Sequence, residues 1–316
     1  MKARAQAGLK GYFNDNLTFQ IFGGAMRISY LRRTLNLLLL GFFMVHAPGQ
    51  APEPESPFSF SGDAAFVSKY IWRGQRLTND ASVQPSMTMG IGGFSFNIWG
   101  NMDLTAVNAG DKLLLPQDTL ATAASAGLKG KFSEVDYTFS YSQSVEKVSL
   151  DVGMIFYTFP ERSASLASTT EIYGGLSFDG PLAPSATLYI DIDETGESGS
   201  NGVYFLLSGG HSIPIDNEVF SALDLSASLA FVNKGFSDFY YGAAKTGAHD
   251  LNLTVSLPIT LSDDVSASAF VSYSSLLGGF RDYQFKDPRE VLLGTAGTAS
   301  DLANTVWAGL TLSLGF

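Results

Sequence analysis

The sequence predicts an all-β chain that folds as a transmembrane, antiparallel up-and-down β-barrel of about twelve strands. Three observations predict it: many segments alternate apolar and polar residues, the connections alternate in length, and no apolar run after residue 45 is long enough for a spanning helix. Alternation at period two is typical of a strand with one apolar and one polar face. Without a spanning helix, membrane residence requires a closed barrel, because every backbone group in lipid must be paired.

The N-terminal residues are predicted to precede the barrel. Residues 26–51 have the features of a secretory signal peptide: Arg32 and Arg33 come before an apolar run that is too short to span a bilayer as a helix. Residues 1–25 are expected to be an over-extended start, with a genuine long leader as the alternative. A Pro-rich spacer at 52–57 then leads into the predicted barrel at 58–316.

Twelve segments have the strand pattern. In EVDYTFSY, for example, apolar and aromatic residues at 135, 137, 139 and 141 oppose polar residues at 136, 138, 140 and 142. The predicted strands are 58–73, 81–91, 94–104, 134–144, 147–159, 169–178, 184–193, 202–212, 219–232, 249–258, 264–275 and 303–316. The stretch 118–131 is either part of a loop or an additional hairpin arm, which would raise the number of strands to fourteen.

The connections between these strands alternate in length along the chain. Five short ones interleave with six longer ones, of which 105–133 and 276–302 are the longest. Outer-membrane barrels have short periplasmic turns and long extracellular loops, and a soluble β-sandwich has no reason for this alternation. The pattern therefore predicts an even number of strands with both chain ends at the periplasmic side.

The last predicted strand has apolar side chains at every second position. These are Leu310, Leu312 and Leu314, followed by the aromatic Phe316. In transmembrane barrels, aromatic side chains gather at the bilayer interface. The ending resembles the C-terminal signature of bacterial outer-membrane barrels, which implies recognition by the barrel-insertion machinery.

Several longer segments resemble the TorF-type putative porin family, a bacterial outer-membrane family of poorly defined function. They are VSKYIWRGQRLTND (67–80), EVDYTFSYSQSVEKVSLDVGMIFYTFP (134–160), TEIYGGLSF (170–178), SGGHSIPI (208–215) and GFSDFYYG (235–242). Their order and spacing carry the resemblance from about residue 60 to the end of the chain. The resemblance implies a channel by fold and no particular substrate, and the long 105–133 and 276–302 segments depart from it.

The composition excludes some classes of function. The chain has no Cys, so disulfides and reactive thiols are excluded. Only 16% of residues are charged, below the usual quarter, which suits a large lipid-facing surface. The net charge of −11 argues against nucleic acid as a partner. The expected surroundings are outer-membrane lipids and lipopolysaccharide.

Acidic residues dominate the strand positions that are predicted to face the lumen. Carboxylates that line a pore favour cations, so we expect a mild cation preference; alternatively, these acids lie solvated at the rims without effect. The two basic members lie on the first predicted strand and would either narrow the pore or form a structural ion pair. The predicted pore-lining residues are Lys69, Arg73, Asp103, Asp136, Asp151, Glu171, Asp191, Asp193 and Asp224.

The aromatic residues near strand ends, Tyr70 and Trp72 among them, are predicted to form interface girdles. No nucleophile elbow accompanies the three His, and position twelve of the EF-hand-like stretch 191–202 is Gly202 where a Ca²⁺ loop needs Glu. We therefore predict no catalytic residue, metal site or cofactor. The predicted function is passive diffusion of small hydrophilic solutes or ions through an outer-membrane, porin-like channel. The alternative is a non-conducting structural or adhesion barrel that acts through its extracellular loops.

Overall fold

The computed structural model of the chain describes residues 58–105, 129–160, 168–193, 199–217, 219–284 and 302–315. The strands are β1 (Phe58–Val67), β2 (Tyr70–Trp72), β3 (Gln75–Thr78), β4 (Ser82–Ile91), β5 (Phe94–Asp103), β6 (Lys131–Val145), β7 (Val148–Thr158), β8 (Thr169–Phe178), β9 (Ser185–Asp191), β10 (Val203–Pro214), β11 (Ala222–Val232), β12 (Gly247–Thr260), β13 (Val265–Leu276) and β14 (Asn304–Gly315). Helix α1 (Lys234–Tyr241) and a 3₁₀ helix (Gly278–Tyr283) follow β11 and β13. No helix in these ranges is long and apolar enough to cross a bilayer. The predicted signal peptide and spacer, together with Phe316, lie outside the described residues.

Twelve of the strands form one closed antiparallel barrel, and β2 and β3 form a separate hairpin. Strand β1 closes the barrel by pairing with both β4 and β14, and every other barrel strand pairs with its neighbours in sequence. The prediction of a twelve-stranded up-and-down barrel is confirmed. The fourteen-strand alternative is wrong, because β5 pairs directly with β6 and leaves no place between them for another hairpin.

The outer face of the barrel is apolar. Phe139 on β6 is 52% exposed, whereas Ser142 on the opposite face of the same strand is buried. The same alternation places exposed apolar side chains around the barrel, among them Phe66, Met87, Ile98, Leu176, Leu253 and Leu310. Each square ångström of apolar surface left in water costs about 25 cal/mol, so this outer face suits lipid. The chain is an outer-membrane-type barrel.

The two ends of the barrel differ as the lengths of the connections predict. Tight turns join β4 to β5 and β6 to β7, with Gly92 and Glu146 in the left-handed region at φ 57° and 52°. The start of β1, the end of β14 and the short turns among the described residues lie at one end, called here the turn end. The strand ends that the longer connections join lie at the other, called the loop end, which corresponds to the extracellular side in barrels of this kind.

The first barrel strand is shorter than predicted. The prediction of a strand over 58–73 is wrong beyond Val67, because β2 and β3 leave the wall and form a hairpin. Its two central residues, Arg73 and Gly74, have φ of 47° and 74°, and a two-residue turn with both φ values positive suits the twist of a β-hairpin. Tyr70 is buried and Trp72 packs against Tyr157 and Phe236, so these two aromatics do not belong to an interface girdle.

Helix α1 lies at the loop end and is fixed at both termini. The side chain of Asn233 caps its N-terminus by accepting a hydrogen bond from the Phe236 amide at 2.9 Å, and Gly242 ends the helix in the left-handed conformation. The Asn233 oxygen also accepts from the Val203 amide at the start of β10, at 2.9 Å. Phe236 thereby enters the core cluster formed with Tyr204, Ala230, Val232, Leu276, Phe280 and Ala303.

Candidate functional site in the barrel lumen

Most of the predicted pore-lining acids lie on the wall positions opposite the apolar outer face. Six of them are buried: Asp103, Asp136, Asp151, Glu171, Asp191 and Asp224. Asp193 lies beyond the end of β9 and is exposed, and Lys69 is half-buried in the bend between β1 and β2. Arg73 is at the tip of the β2–β3 hairpin and not on a wall strand. That these residues line a conducting pore stays a prediction.

Two further buried acids were not selected from the sequence. Glu134 lies beside Asn101 and two positions before Asp136 on β6, and Asp250 lies two positions before Asn252 on β12. Both have the same parity as the polar residues that follow them, so the alternation could have identified them. They fall at the ends of predicted strands, where the assignment of a face is least secure.

Arg73 joins the hairpin to the barrel wall through Glu171 on β8. Its Nη1 and Nη2 donate to Oε1 and Oε2 of Glu171, each at 2.7 Å, and the two side chains are 8% and 2% exposed. The Tyr157 hydroxyl donates to Oε2 as well, at 2.9 Å. A bidentate arginine–carboxylate pair with an additional donor is among the strongest polar contacts in proteins, and it holds the hairpin tip in the lumen.

Four aromatic rings surround the guanidinium of Arg73. Its Cζ lies 4.2 Å from the ring centroid of Tyr204, 4.7 Å from Trp72, 5.0 Å from Tyr189 and 5.6 Å from Phe236. All four distances are within the range of a cation–π contact. Glu171, Trp72, Tyr189, Tyr204 and Phe236 are called the Arg73 cage below.

A chain of hydrogen bonds links Gln75, which lies beside the hairpin tip, through Tyr241 of α1 to β12. Gln75 Nε2 donates to the Tyr241 hydroxyl at 2.8 Å, and that oxygen lies 2.7 Å from Nε2 of His249. The Nδ1 of His249 is 2.7 Å from Oδ2 of Asp250, which also accepts from the Tyr204 hydroxyl at 3.0 Å. Burial raises the pKa of the Tyr241 phenol, so it remains neutral and can donate to His249. Both ring nitrogens of the buried His249 thus have a hydrogen-bond partner.

Replacing Tyr241 by Phe is expected to destabilise the protein by about 1–3 kcal/mol, because Nε2 of the buried His249 loses its hydrogen-bond partner. The measurement is the urea midpoint of the protein in lipid vesicles. Tyr273→Phe is the matched control, since the Tyr273 hydroxyl donates to Asn304 at the exposed outer surface. Equal midpoints for the two variants would contradict the proposed hydrogen-bond chain.

Other polar contacts tie the hairpin to different sides of the lumen. The Tyr70 hydroxyl donates to Oε2 of Glu134 on β6 at 2.9 Å, and Thr78 donates to Asp103 on β5 at 3.4 Å. With α1 and the 3₁₀ helix, the hairpin fills much of the lumen at the loop end, since these side chains are almost fully buried.

Towards the turn end the inner wall carries small polar side chains. Neighbouring strands there join Ser95 to Ser140 and Ser185 to Ser208 through hydroxyl pairs at 2.6 Å. The carboxylate of Asp151 accepts from Ser142 at 2.6 Å. The inner wall there thus carries hydroxyl and carboxylate groups, in contrast to the aromatic rings of the cage.

Neither described His has the surroundings of a catalytic base. His211 is exposed on the outer face and pairs with Leu225 on the next strand. Both ring nitrogens of His249 lie within hydrogen-bond distance of other side chains, namely Tyr241 and Asp250. In the part of the chain that the structure describes, neither ring contacts a serine hydroxyl, and no three acidic or His side chains form a metal cluster. That the chain is not an enzyme stays a prediction.

Residues 51–224 match the sequence model of a family described as "Bacterial protein of unknown function (Gcw_chp)". The chain belongs to this family. The match covers the first strands of the barrel, the hairpin and most of the Arg73 cage. It leaves the TorF-type name unconfirmed, and a search of curated proteins found no match.

Solved structures with a similar arrangement include outer-membrane porins and channels, and also an outer membrane phospholipase A from Escherichia coli. The NanC porin has a TM-score of 0.45 and 11% identity, over 81% of this chain and 98% of that one. The COG4313 outer membrane channel from Pseudomonas putida F1 has a TM-score of 0.43 and 9% identity, over 86% and 100%. An anion-selective porin from Comamonas acidovorans has a TM-score of 0.35 and 10% identity, over 82% and 98%.

Proposed function

We propose that the protein is an outer-membrane channel for small hydrophilic solutes or ions, narrowed at its loop end by the β2–β3 hairpin. One observation carries the proposal: the apolar outer face encloses an inner wall of polar and acidic side chains. Buried charges are costly in a barrel that serves only as a scaffold, because removing them from water is rarely repaid in full. A water-containing lumen removes most of that cost.

The charge of the inner wall supports a preference for cations. Among the described residues, eight buried acids face two arginines, Arg73 and Arg76, and Arg73 is neutralised by Glu171. The acids are Asp103, Glu134, Asp136, Asp151, Glu171, Asp191, Asp224 and Asp250. An excess of carboxylates along a channel whose walls have a low dielectric constant raises the local concentration of cations.

The test is the current through the refolded protein in a planar bilayer with a KCl gradient. We expect small stepwise openings and a reversal potential of the sign given by K⁺ permeation. The conductance should be low, because the loop end of the lumen is occupied. A reversal potential of the opposite sign would overturn the cation preference and leave the channel function intact.

A non-conducting structural barrel is the second candidate, and the Arg73 cage favours it. A bidentate ion pair within four aromatic rings fills the lumen as a core would. Under this alternative the protein gives no current although it is folded, which is recognised by its shift on gels after heating. The extracellular loops would then carry the function.

The outer face of the barrel also supports a proposal for the partners of the protein. The apolar outer face supports contact with outer-membrane lipids and, at the loop end, with lipopolysaccharide. The alternating Leu310, Leu312 and Leu314 on β14 support recognition by the barrel-insertion machinery, and their side chains are exposed on the outer face. Export by a signal peptide at 26–51 is part of the same proposal.

A further inference from the structure

We infer that the Arg73 cage is a binding site for guanidinium groups, and that Arg73 occupies it as an internal ligand. The inference rests on the proposed function, which gives solutes access to the lumen. It assigns the site a ligand class, namely small solutes that carry a guanidinium group. Such a solute would compete with Arg73 for Glu171 and would release the hairpin tip.

The geometry of the cage matches a guanidinium more closely than an ammonium. Both oxygens of Glu171 accept from different nitrogens of Arg73 at 2.7 Å, which requires a planar donor with a fixed fork. Rings from Tyr204 and Tyr189 lie 4.2 and 5.0 Å from the central carbon, where a delocalised cation can stack. An ammonium group presents a single point charge and cannot form both contacts together.

Most of the cage is built without the hairpin. Glu171, Tyr189 and Tyr204 lie on the neighbouring strands β8, β9 and β10, and the Tyr157 hydroxyl fixes the Glu171 carboxylate at 2.9 Å. Phe236 is held on the capped helix α1. Of the cage residues, only Trp72 comes from the hairpin. The site is therefore preorganised, and a preorganised site loses little affinity to ordering when a ligand replaces Arg73.

The hairpin tip adopts a backbone conformation that does not favour arginine. Arg73 has φ of 47°, in the left-handed region where glycine is preferred. The side-chain contacts in the cage hold the tip against this preference. A soluble guanidinium has no backbone to hold in an unfavourable conformation. Its binding in the cage therefore avoids a cost that the binding of Arg73 includes, and this favours displacement of Arg73 by a small solute.

The test is calorimetric binding of methylguanidinium to the full-length Arg73→Gly protein in detergent micelles. Glycine suits the turn, so the hairpin can still form while the cage is vacated. We expect saturable binding to Arg73→Gly and much weaker binding to the wild-type protein, whose cage is filled. Methylammonium, with the same charge, is expected to bind less tightly.

The double variant Arg73→Gly, Glu171→Gln tests the carboxylate. It is expected to weaken methylguanidinium binding about ten- to a hundredfold, as loss of a charged hydrogen-bond partner implies. Asp224→Asn in the Arg73→Gly background is the matched control, because it removes one buried, inward charge on β11 near the turn end, outside the cage. Equal weakening by both substitutions, or equal binding of the two cations, would overturn the guanidinium site.

A second measurement uses the wild-type protein and does not depend on refolding of a variant. Methylguanidinium, but not methylammonium, is expected to accelerate amide hydrogen exchange in residues 70–78. No difference between the two cations would count against the inference. Because neither measurement depends on current, a silent barrel that binds methylguanidinium overturns only the channel, and a conducting barrel that does not bind it overturns only this site.

Discussion

Replacing Glu171 by Gln is expected to destabilise the protein by about 3–5 kcal/mol, because Arg73 is then left charged and buried without a carboxylate. Gln keeps the size of the side chain, so the effect reports the charge and not a cavity. The hairpin can relieve part of this penalty by leaving the lumen, since no barrel strand pairs with it. We therefore also expect larger single-channel currents from the variant. The loss of stability is measured as the urea midpoint of the protein in lipid vesicles.

The paired replacement Arg73→Met, Glu171→Leu separates loss of charge from loss of contact. Apolar residues of similar volume often replace a buried ion pair at little cost in stability, so this variant should regain most of the lost free energy. Asp193→Asn is the matched control, because Asp193 is an exposed acid beyond the end of β9. Equal stability of Glu171→Gln and Asp193→Asn would contradict the role of the ion pair.

The barrel itself could be predicted from the sequence because its physical determinants are local. The period-two alternation sets which side chain faces lipid, and the short turns set which strands pair. The strand from Thr169 to Phe178 has the bounds that were predicted. A long strand pairing between β5 and β6 then excludes the fourteen-strand alternative, which the sequence left open because it has no signal for the conformation of 118–131.

The hairpin and the cage could not be predicted, because their determinants are non-local. The alternation of side chains in β1 continues through Tyr70 to Arg73, so the sequence gives no sign that the strand ends at Val67. Only contacts with distant residues show that the chain leaves the barrel wall there. Arg73 and Glu171 are 98 positions apart, and Gln284 donates to the Arg76 carbonyl across 208 positions. The dipeptide Arg73–Gly74 is a weaker turn signal than Asn–Gly, so the sequence indicates the tight turn only in retrospect.

Replacing Gly74 by Ala is expected to displace the hairpin tip and to increase the conductance. A Cβ at this position would lie 2.6 Å from Cβ of Asp250 and 3.1 Å from Cδ2 of Leu276. Asp250 cannot move aside easily, because its carboxylate is held by Tyr204, His249 and Asn252. Overpacking of this kind costs about 1–3 kcal/mol, comparable with what one charge-assisted contact contributes.

Gly92→Ala is the control that isolates the contact from the backbone effect. Gly92 also has a positive φ, 57°, but a Cβ added there, at the turn end, would have no atom within 4 Å. Both substitutions therefore carry the left-handed strain of about 1–2 kcal/mol, and only Gly74→Ala adds the contact with β12. Larger currents from Gly74→Ala alone would show that the seated hairpin limits conduction. Equal currents from both variants and the wild type would mean that ions pass beside the hairpin or not at all, and the wild-type current itself distinguishes these two cases.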